Sequence, residues 1–420
     1  MKPLFSQATM LVCLGAALCG AHASEHPLTL SAATQRALEN HPALGGFAAQ
    51  RASQQGRSDE ARLRPAPSID LNIEDFAGSG ARQGFDGSQT TLSLSQVLQF
   101  GRQRDRRIDR AQAEADLLVN EQDVMRRDVL AELAVRFVAT LAHQQRVEAS
   151  RKGVELARRM ADVVQERVQA AAAPDAERAR ARVELAEAEL RHEEYAHQLQ
   201  VLRMALAEAM GLESIDFGPL DGELFKTELT VSFAALMTRL DQAPELRQLI
   251  SRRRLIESEL MLARSRARGE VRASVGVRQR QSSDDTAWVA GLSVPLFSAR
   301  QAAPNIATHQ AKLEALRFEQ TAHRNAIRAQ LFSLDQELRH AKHVLQVQQS
   351  TVLPALNSAL GLTEQAYRNG RYSWLQLKDI QQQVLMARLN QIAAAEEFHI
   401  TRIEIERLTG QNLADVGEAQ

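Results

Sequence analysis

Two stretches of this chain alternate apolar and polar side chains with a period of two, and each leads into a much longer stretch with helical periodicity. In 68–76, Ile69, Leu71 and Ile73 alternate with Asp70, Asn72 and Glu74; in 90–100, Leu92, Leu94, Leu98 and Phe100 share a face opposite Ser93 and Ser95. Successive side chains of a strand point to opposite sides, so each segment predicts a strand with one apolar and one polar face. The glycine-rich, polar AGSGARQGFDGS between them predicts a hairpin loop. The pattern returns at Val271, Ala273, Val275 and Val277, set between Arg272, Ser274, Gly276 and Arg278. It returns again at Trp288, Ala290, Leu292, Val294 and Leu296, across the loop RQSSDDTA.

From 102 to 170 good helix formers dominate, and no proline occurs between Pro67 and Pro174. Ile108, Ala111, Ala115, Leu118, Met125, Val129, Leu133, Phe137 and Leu141 recur at spacings of three, four or seven and predict a helix about 100 Å long with a narrow apolar stripe. A second helix, 175–210, is closed by Gly211, suited to a left-handed cap. Helices over 301–368 and 374–409, closed by Gly410, repeat the arrangement. Pro354 predicts a kink in the longer one, because proline removes a helical hydrogen bond.

The chain is therefore written twice. LTLSAATQRALENHPAL at 28–44 matches LTVSFAALMTRLDQAPEL at 229–246, about 200 residues on, with one residue inserted. The expected layout is a signal peptide (1–23), a first repeat (24–212) with its hairpin at about 68–100, a linker (213–228), a second repeat (229–413) with its hairpin at about 271–297, and a tail (414–420).

Composition adds three constraints. Lys2, an apolar run and Ala21-His22-Ala23 form a secretory signal with cleavage between Ala23 and Ser24. Both cysteines, Cys13 and Cys19, fall inside it, and Leu18 before Cys19 argues against a lipid anchor. A formal charge of -1 with interspersed signs gives no footprint for nucleic acid. No later segment has the apolar length of a membrane helix, so a membrane can be crossed only by the strands, whose length suits a tilted crossing. Four strands leave two unpaired edges, which lipid does not tolerate. Either several chains close one barrel, apolar faces outward and polar faces toward a watery lumen, or the hairpins are soluble and pack on the helices.

The chain resembles the TolC-like outer-membrane efflux proteins. The resemblance covers nearly all of the mature sequence and rests on the duplicated opening, on LSLSQVLQFGRQR (92–104) and LSVPLFSARQA (292–302), and on AYRNGRYSWLQLKDIQQQVLMARL (366–389). It implies a mixed, mainly α fold: a long antiparallel coiled-coil tunnel in the periplasm, and four strands per chain in a twelve-stranded barrel of a homotrimer in the outer membrane of a Gram-negative bacterium. It also implies a periplasmic adaptor and an inner-membrane pump, proton-driven, as partners, with outer-membrane lipid around the barrel. It leans toward the heavy-metal efflux branch.

In that family the helical turns form the periplasmic tip, where the adaptor docks and the tube narrows. Here the turns fall at about 170–177 and 369–376, so the implied adaptor contacts are Pro174 and Asp175 at the first and Asn369, Gly370, Arg371, Tyr372, Ser373 and Trp374 at the second. Local chemistry independently supports the second turn: Asn369-Gly370 stops a helix, and Ser373 with Gln376 forms a capping box. The first turn, AAAAPDAE, lacks the glycine. Trp374 is either a packing residue or a partner's anchor. By the resemblance, Asp379 and Gln376 mark the aperture, where three Asp379 carboxylates would form a cation-attracting ring; alternatively Asp379 is a solvated acid near a helix start.

His340 and His343 are three apart on a helix, and His192 and His197 bracket HEEYAH, but two ligands are too few for a defined zinc site and solvated faces are the better reading. No metal or cofactor is assigned. No nucleophile elbow, phosphate loop or metalloprotease motif occurs, so an enzyme is not expected. The expected function is a passive exit duct of a three-part efflux system, for heavy-metal cations on the branch resemblance. The competing function is a soluble periplasmic coiled-coil adaptor, which should show one helical hairpin flanked by glycine-rich β domains.

Overall fold

The computed structural model describes residues 27–228 and 232–410. The expected signal peptide with its Ala23–Ser24 cleavage point, both cysteines, residues 229–231 and the 411–420 tail lie outside the described residues. The first repeat runs α1 (Leu30–Asn40), α2 (Pro42–Gly45), α3 (Phe47–Arg62), β1 (Ser68–Glu74), β2 (Gln89–Gln99), α4 (Gln103–Gln169) and α5 (Asp175–Ala209). The second runs α6 (Phe233–Arg239), α7 (Pro244–Arg266), β3 (Glu270–Arg280), β4 (Asp285–Ser293), α8 (Ser298–Val347), α9 (Leu353–Arg368) and α10 (Trp374–Thr409).

The strands form one antiparallel sheet in the order β1-β2-β3-β4, with β1 and β4 at its edges. Register places like with like. Leu71, Leu92, Val277 and Trp288 stand in one row, and Ile69, Leu94, Val275 and Ala290 in the next. The alternate rows are polar: Asn72, Thr91 and Arg278 in one, Glu74, Gln89, Arg280 and Asp285 in another. Among the described residues nothing covers the apolar face, for Ile69 is 75% and Trp288 82% exposed. Gly276 sits where β2 and β3 approach most closely; a Cβ there would stand 2.5 Å from the Leu92 carbonyl oxygen, so only glycine fits. β4 begins at Asp285, earlier than the sequence suggested, and ends at Ser293, so Val294 and Leu296 lie beyond it.

The helices form a row. α4 packs against α3 and then α5 along one side and against α7 and then α10 along the other, and α8 packs on α7 and α10. Hydrogen bonds fix the order along α4: Gln54 of α3 donates to the Ala111 carbonyl at 3.0 Å, and Asn120 donates to Ser251 of α7 at 3.0 Å. Farther down, Arg136 donates to Glu208 of α5 at 2.8 Å, and Arg146 pairs with Glu396 of α10. The outer members of the row are α8–α9 at one edge and α3 with α5 at the other.

α3 and α7 are additions to what the periodicity suggested. Pro42 and Pro244 each open a helix at its first position, where a missing N–H costs nothing. In α7, Leu246, Leu249, Ile256, Leu260 and Ala263 are buried at helical spacing, a signal readable in the sequence; in α3 only Gln54 is buried. Met125 departs from the expected stripe of α4 and is 47% exposed, with Gln122 turned inward instead. The disturbance expected at Pro354 is a π-turn at Gln348–Val352: proline has no N–H to give the Ser350 carbonyl, and the ladder takes up the slack one residue wide.

The main core surrounds the middle of α4. Ala131, Ala134, Ala142, Ala207, Ala394 and Ala395 let backbones approach, while Leu133, Phe137 and Leu206 fill the gaps. The 213–228 linker is part of this core: Phe217, Leu220 and Leu224 are buried, and the Gln144 amide both donates to the Leu220 carbonyl (3.1 Å) and accepts from its N–H (3.0 Å). His399 of α10 donates from Nε2 to the Leu224 carbonyl at 2.9 Å. Burial first, and Arg402 second, push its pKa down to about 4. The unfolded chain binds the proton more readily, so this site's stability is complete above the ordinary histidine pKa, near 6.5, and is lost as pH falls toward 4. We therefore expect His399→Gln to flatten the loss of thermal stability between pH 6.5 and 4; an unchanged pH profile would contradict this assignment.

Candidate functional site: the paired helical turns

Both helical hairpins end in the same hydrogen-bonded turn. At the end of α4, Ala171 N–H donates to the Val168 carbonyl (3.0 Å) and Ala172 N–H to Arg167 (2.8 Å). At the end of α9, Gly370 N–H donates to Tyr367 (3.0 Å) and Arg371 N–H to Ala366 (2.9 Å). This paired pattern requires a left-handed residue, and Gly370 supplies it at φ 75°. Ala171 supplies it at φ 56°, a conformation costing about 1–2 kcal/mol for a residue with a Cβ. The missing glycine of the first turn thus changes its energy and leaves its geometry intact.

Ser373 caps α10. Its Oγ accepts from the Gln376 N–H at 3.4 Å, and Gln376 Oε1 accepts from the Ser373 N–H at 2.9 Å. The Gln376 side chain is therefore held in the cap. Pro174 caps α5 without a side-chain bond, and Asp175 pairs with Arg178 at 2.7 Å.

A knot of three residues ties the turns together. The Arg167 guanidinium lies 4.4 Å from the Tyr367 ring centroid, donates to the Tyr367 carbonyl, and donates to the Ala172 carbonyl at 3.0 Å. The Tyr367 hydroxyl donates to Glu177 at 2.8 Å. Burial and that carboxylate push the phenol pKa well up, so the hydroxyl remains a donor. Trp374 packs edge-on against Tyr367 at 6.2 Å and is 3% exposed, within a cluster that includes Met160, Val164 and Leu377. Above this knot Glu184, nearly buried, meets Lys378 at 2.5 Å and Arg191 at 3.4 Å.

The remaining sequence candidates face solvent. Asn369, Gly370, Arg371, Ser373, Pro174 and Asp175 are exposed, and Tyr372 and Leu375 present apolar surface. Asp379 is exposed one turn beyond the cap and accepts from Gln383 at 2.8 Å. The sequence reading missed Arg167, Glu177, Tyr367, Glu184 and Lys378. Tyr367 carried one signal, being among only three tyrosines and placed just before a helix-stopping Asn-Gly.

Tyr367→Phe keeps the packing and deletes the bond to Glu177, a charge-assisted hydrogen bond worth about 1.5–3 kcal/mol. Amide hydrogen exchange should then quicken at both turns and leave the strands unchanged. Exchange that is unaltered at 170–177 would refute the coupling of the two turns.

Comparison with known proteins agrees with this architecture. The outer membrane efflux protein family model matches residues 33–212, which is the first repeat. The cobalt-zinc-cadmium resistance protein CzcC of Cupriavidus metallidurans is 25% identical over 389 residues, spanning 92% of this chain and 90% of the relative. The nickel-cobalt-cadmium resistance protein NccC of Alcaligenes xylosoxydans is 23% identical over 335 residues, spanning 77% of this chain and 76% of the relative. The fold is that of the outer-membrane channel OprN, with a TM-score of 0.77, 16% identity, and coverage of 92% of this chain and 90% of that one. A family match to the first repeat, relatives along the length and a shared fold converge: this chain resembles the outer membrane efflux proteins along most of its length and has the fold of their channels.

Proposed function

We propose that three copies of this chain form a passive exit duct, fed by an inner-membrane pump through a periplasmic adaptor, for divalent transition-metal cations. The observation that carries the reading is the pair of open edges. β4 leads into α8 at one edge of the chain, while α3 leads into β1 at the other, with α5 below. Contact between unlike edges repeats head to tail and closes into a ring when the rotation allows. Three copies bring twelve strands, the number the TolC-like resemblance implies, and turn the helix rows into a tube.

In this ring the turns meet at the periplasmic end. Exposed Tyr372, Leu375, Arg371 and Pro174 offer the adaptor its contacts, and Trp374 supports them from within. The Arg167–Tyr367–Glu177 knot holds the two turns of a chain together until adaptor contact shifts them. Three Asp379 carboxylates form the aperture ring and concentrate cations at its mouth. The pump supplies the energy, drawn from protons. The cargo class follows from CzcC and NccC, whose names carry cobalt, zinc, cadmium and nickel.

Reconstituted in planar bilayers, the chain should conduct and be blocked by multivalent cations from the tip side, with block weakened in Asp379→Ala; deletion in a cell with pump and adaptor intact should raise cellular cobalt, zinc or cadmium. A chain that forms no conducting pore would overturn the duct, equal block in both proteins would remove Asp379 from the aperture, and unchanged metal content would overturn the cargo.

A further inference from the structure

Two helix faces at opposite edges of the row are largely uncovered by the described residues. On α5, Val183, Leu190, Val201 and Met204 are exposed and share one face, and His197 lies on that face between Leu190 and Val201. On α8–α9, Phe318, Val347 and Leu362 are exposed along a second face, with exposed His343 on the same stripe and exposed His340 one turn away; higher up, Phe332 packs edge-on against Phe233 of α6 at 5.5 Å. Apolar stripes of this length do not remain in water. The heterologous ring proposed above sets α5 of one copy against α8–α9 of the next.

The height of each histidine above the tip can be read from the helix geometry. The two turns are level, because Arg167 reaches the Tyr367 carbonyl and the Tyr367 hydroxyl reaches Glu177. At 1.5 Å per residue, His197 stands about 33 Å above the start of α5. His343 stands about 37 Å above the end of α9, with the π-turn shortening that path slightly. The offset is smaller than one helical turn. The stripes agree at their lower end too, where Val183 and Leu362 stand about 12 Å and 9 Å above the tip.

We propose that His197 of one copy and His340 and His343 of the adjoining copy form a transition-metal site, repeated at each of the three seams, and this rests on the ring reading above. Facing helices pack 8–10 Å apart, a gap that imidazoles on both sides bridge through one ion with metal–nitrogen bonds of about 2.0–2.1 Å. His340 and His343, three residues apart, present both rings to the same side. Glu194, exposed and one turn from His197, stands on the same face of α5 and can complete a fourth position or orient an imidazole. Within one chain the described residues hold no cluster of three metal-ligating side chains, and the two halves of this one lie on opposite edges of the helix row. His192 is excluded: its Nδ1 faces Ser150 Oγ at 3.0 Å, on the side toward α4. The site suits Zn2+, Co2+ or Ni2+, and binding there clamps neighbouring copies about a third of the way up the helical part of the tube.

The test uses the detergent-extracted trimer. With ZnCl2 alone as the probe, calorimetry should give about one ion per chain, lost on His197→Ala or His343→Ala and retained on His192→Ala. Zinc should also raise the temperature at which the trimer dissociates, reversibly with chelator. Independently, His197→Cys combined with His343→Cys should give oxidised cross-links between copies, since the only native cysteines lie at positions 13 and 19. A protein that is not a ring brings down the ring reading and this site with it. A trimer without the cross-link overturns the juxtaposition, and a cross-linked trimer in which the wild type binds no more zinc than His197→Ala overturns the metal.

Discussion

A four-stranded sheet with a bare apolar face and two unpaired edges sets the terms for everything else in this molecule. Hydrocarbon leaves an exposed backbone donor or acceptor without a partner, at a cost of several kcal/mol each. The rows Leu71–Leu92–Val277–Trp288 and Ile69–Leu94–Val275–Ala290 suit the sheet to that medium, and among the described residues no fifth strand covers β1 or β4. Closure with other copies satisfies both demands. The same edges continue downward as α8–α9 and as α3 with α5, so in the ring proposed above the contact that closes the barrel also closes the tube.

The duplication would make the proposed ring nearly sixfold, and the helical turns are where the two repeats diverge. Their hydrogen-bonded frames are the same, but Gly370 enters the left-handed region freely and Ala171 does so under strain. The second turn carries the capping box and the buried Tyr367–Trp374 pair; the first contributes Arg167 and Glu177, which hold them. The first turn thus clasps the second.

What the sequence made legible follows from what periodicity can encode. The four strands and four long helices are written in periods of two and three-to-four over long runs. The end of each hairpin was legible too, through Asn369-Gly370, Ser373 with Gln376, and Pro174. α3 was not, because it lies on the surface of α4 and buries only Gln54. Met125 carried the right spacing and still points outward, since a stripe this narrow drifts around a straight helix over nine turns or so. The Arg167–Tyr367–Glu177 knot joins residues about 200 positions apart, a relation that no local pattern contains. His197 and His343 gave no defined site in the sequence for a related reason: on the ring reading proposed above, their neighbours come from a second copy.

The central claim is that the chain closes its edges on copies of itself within the outer membrane. Native mass spectrometry of the protein extracted from that membrane in mild detergent measures this directly. The account predicts a single species containing three chains; a monomer, or a dimer with isologous edges, would contradict it.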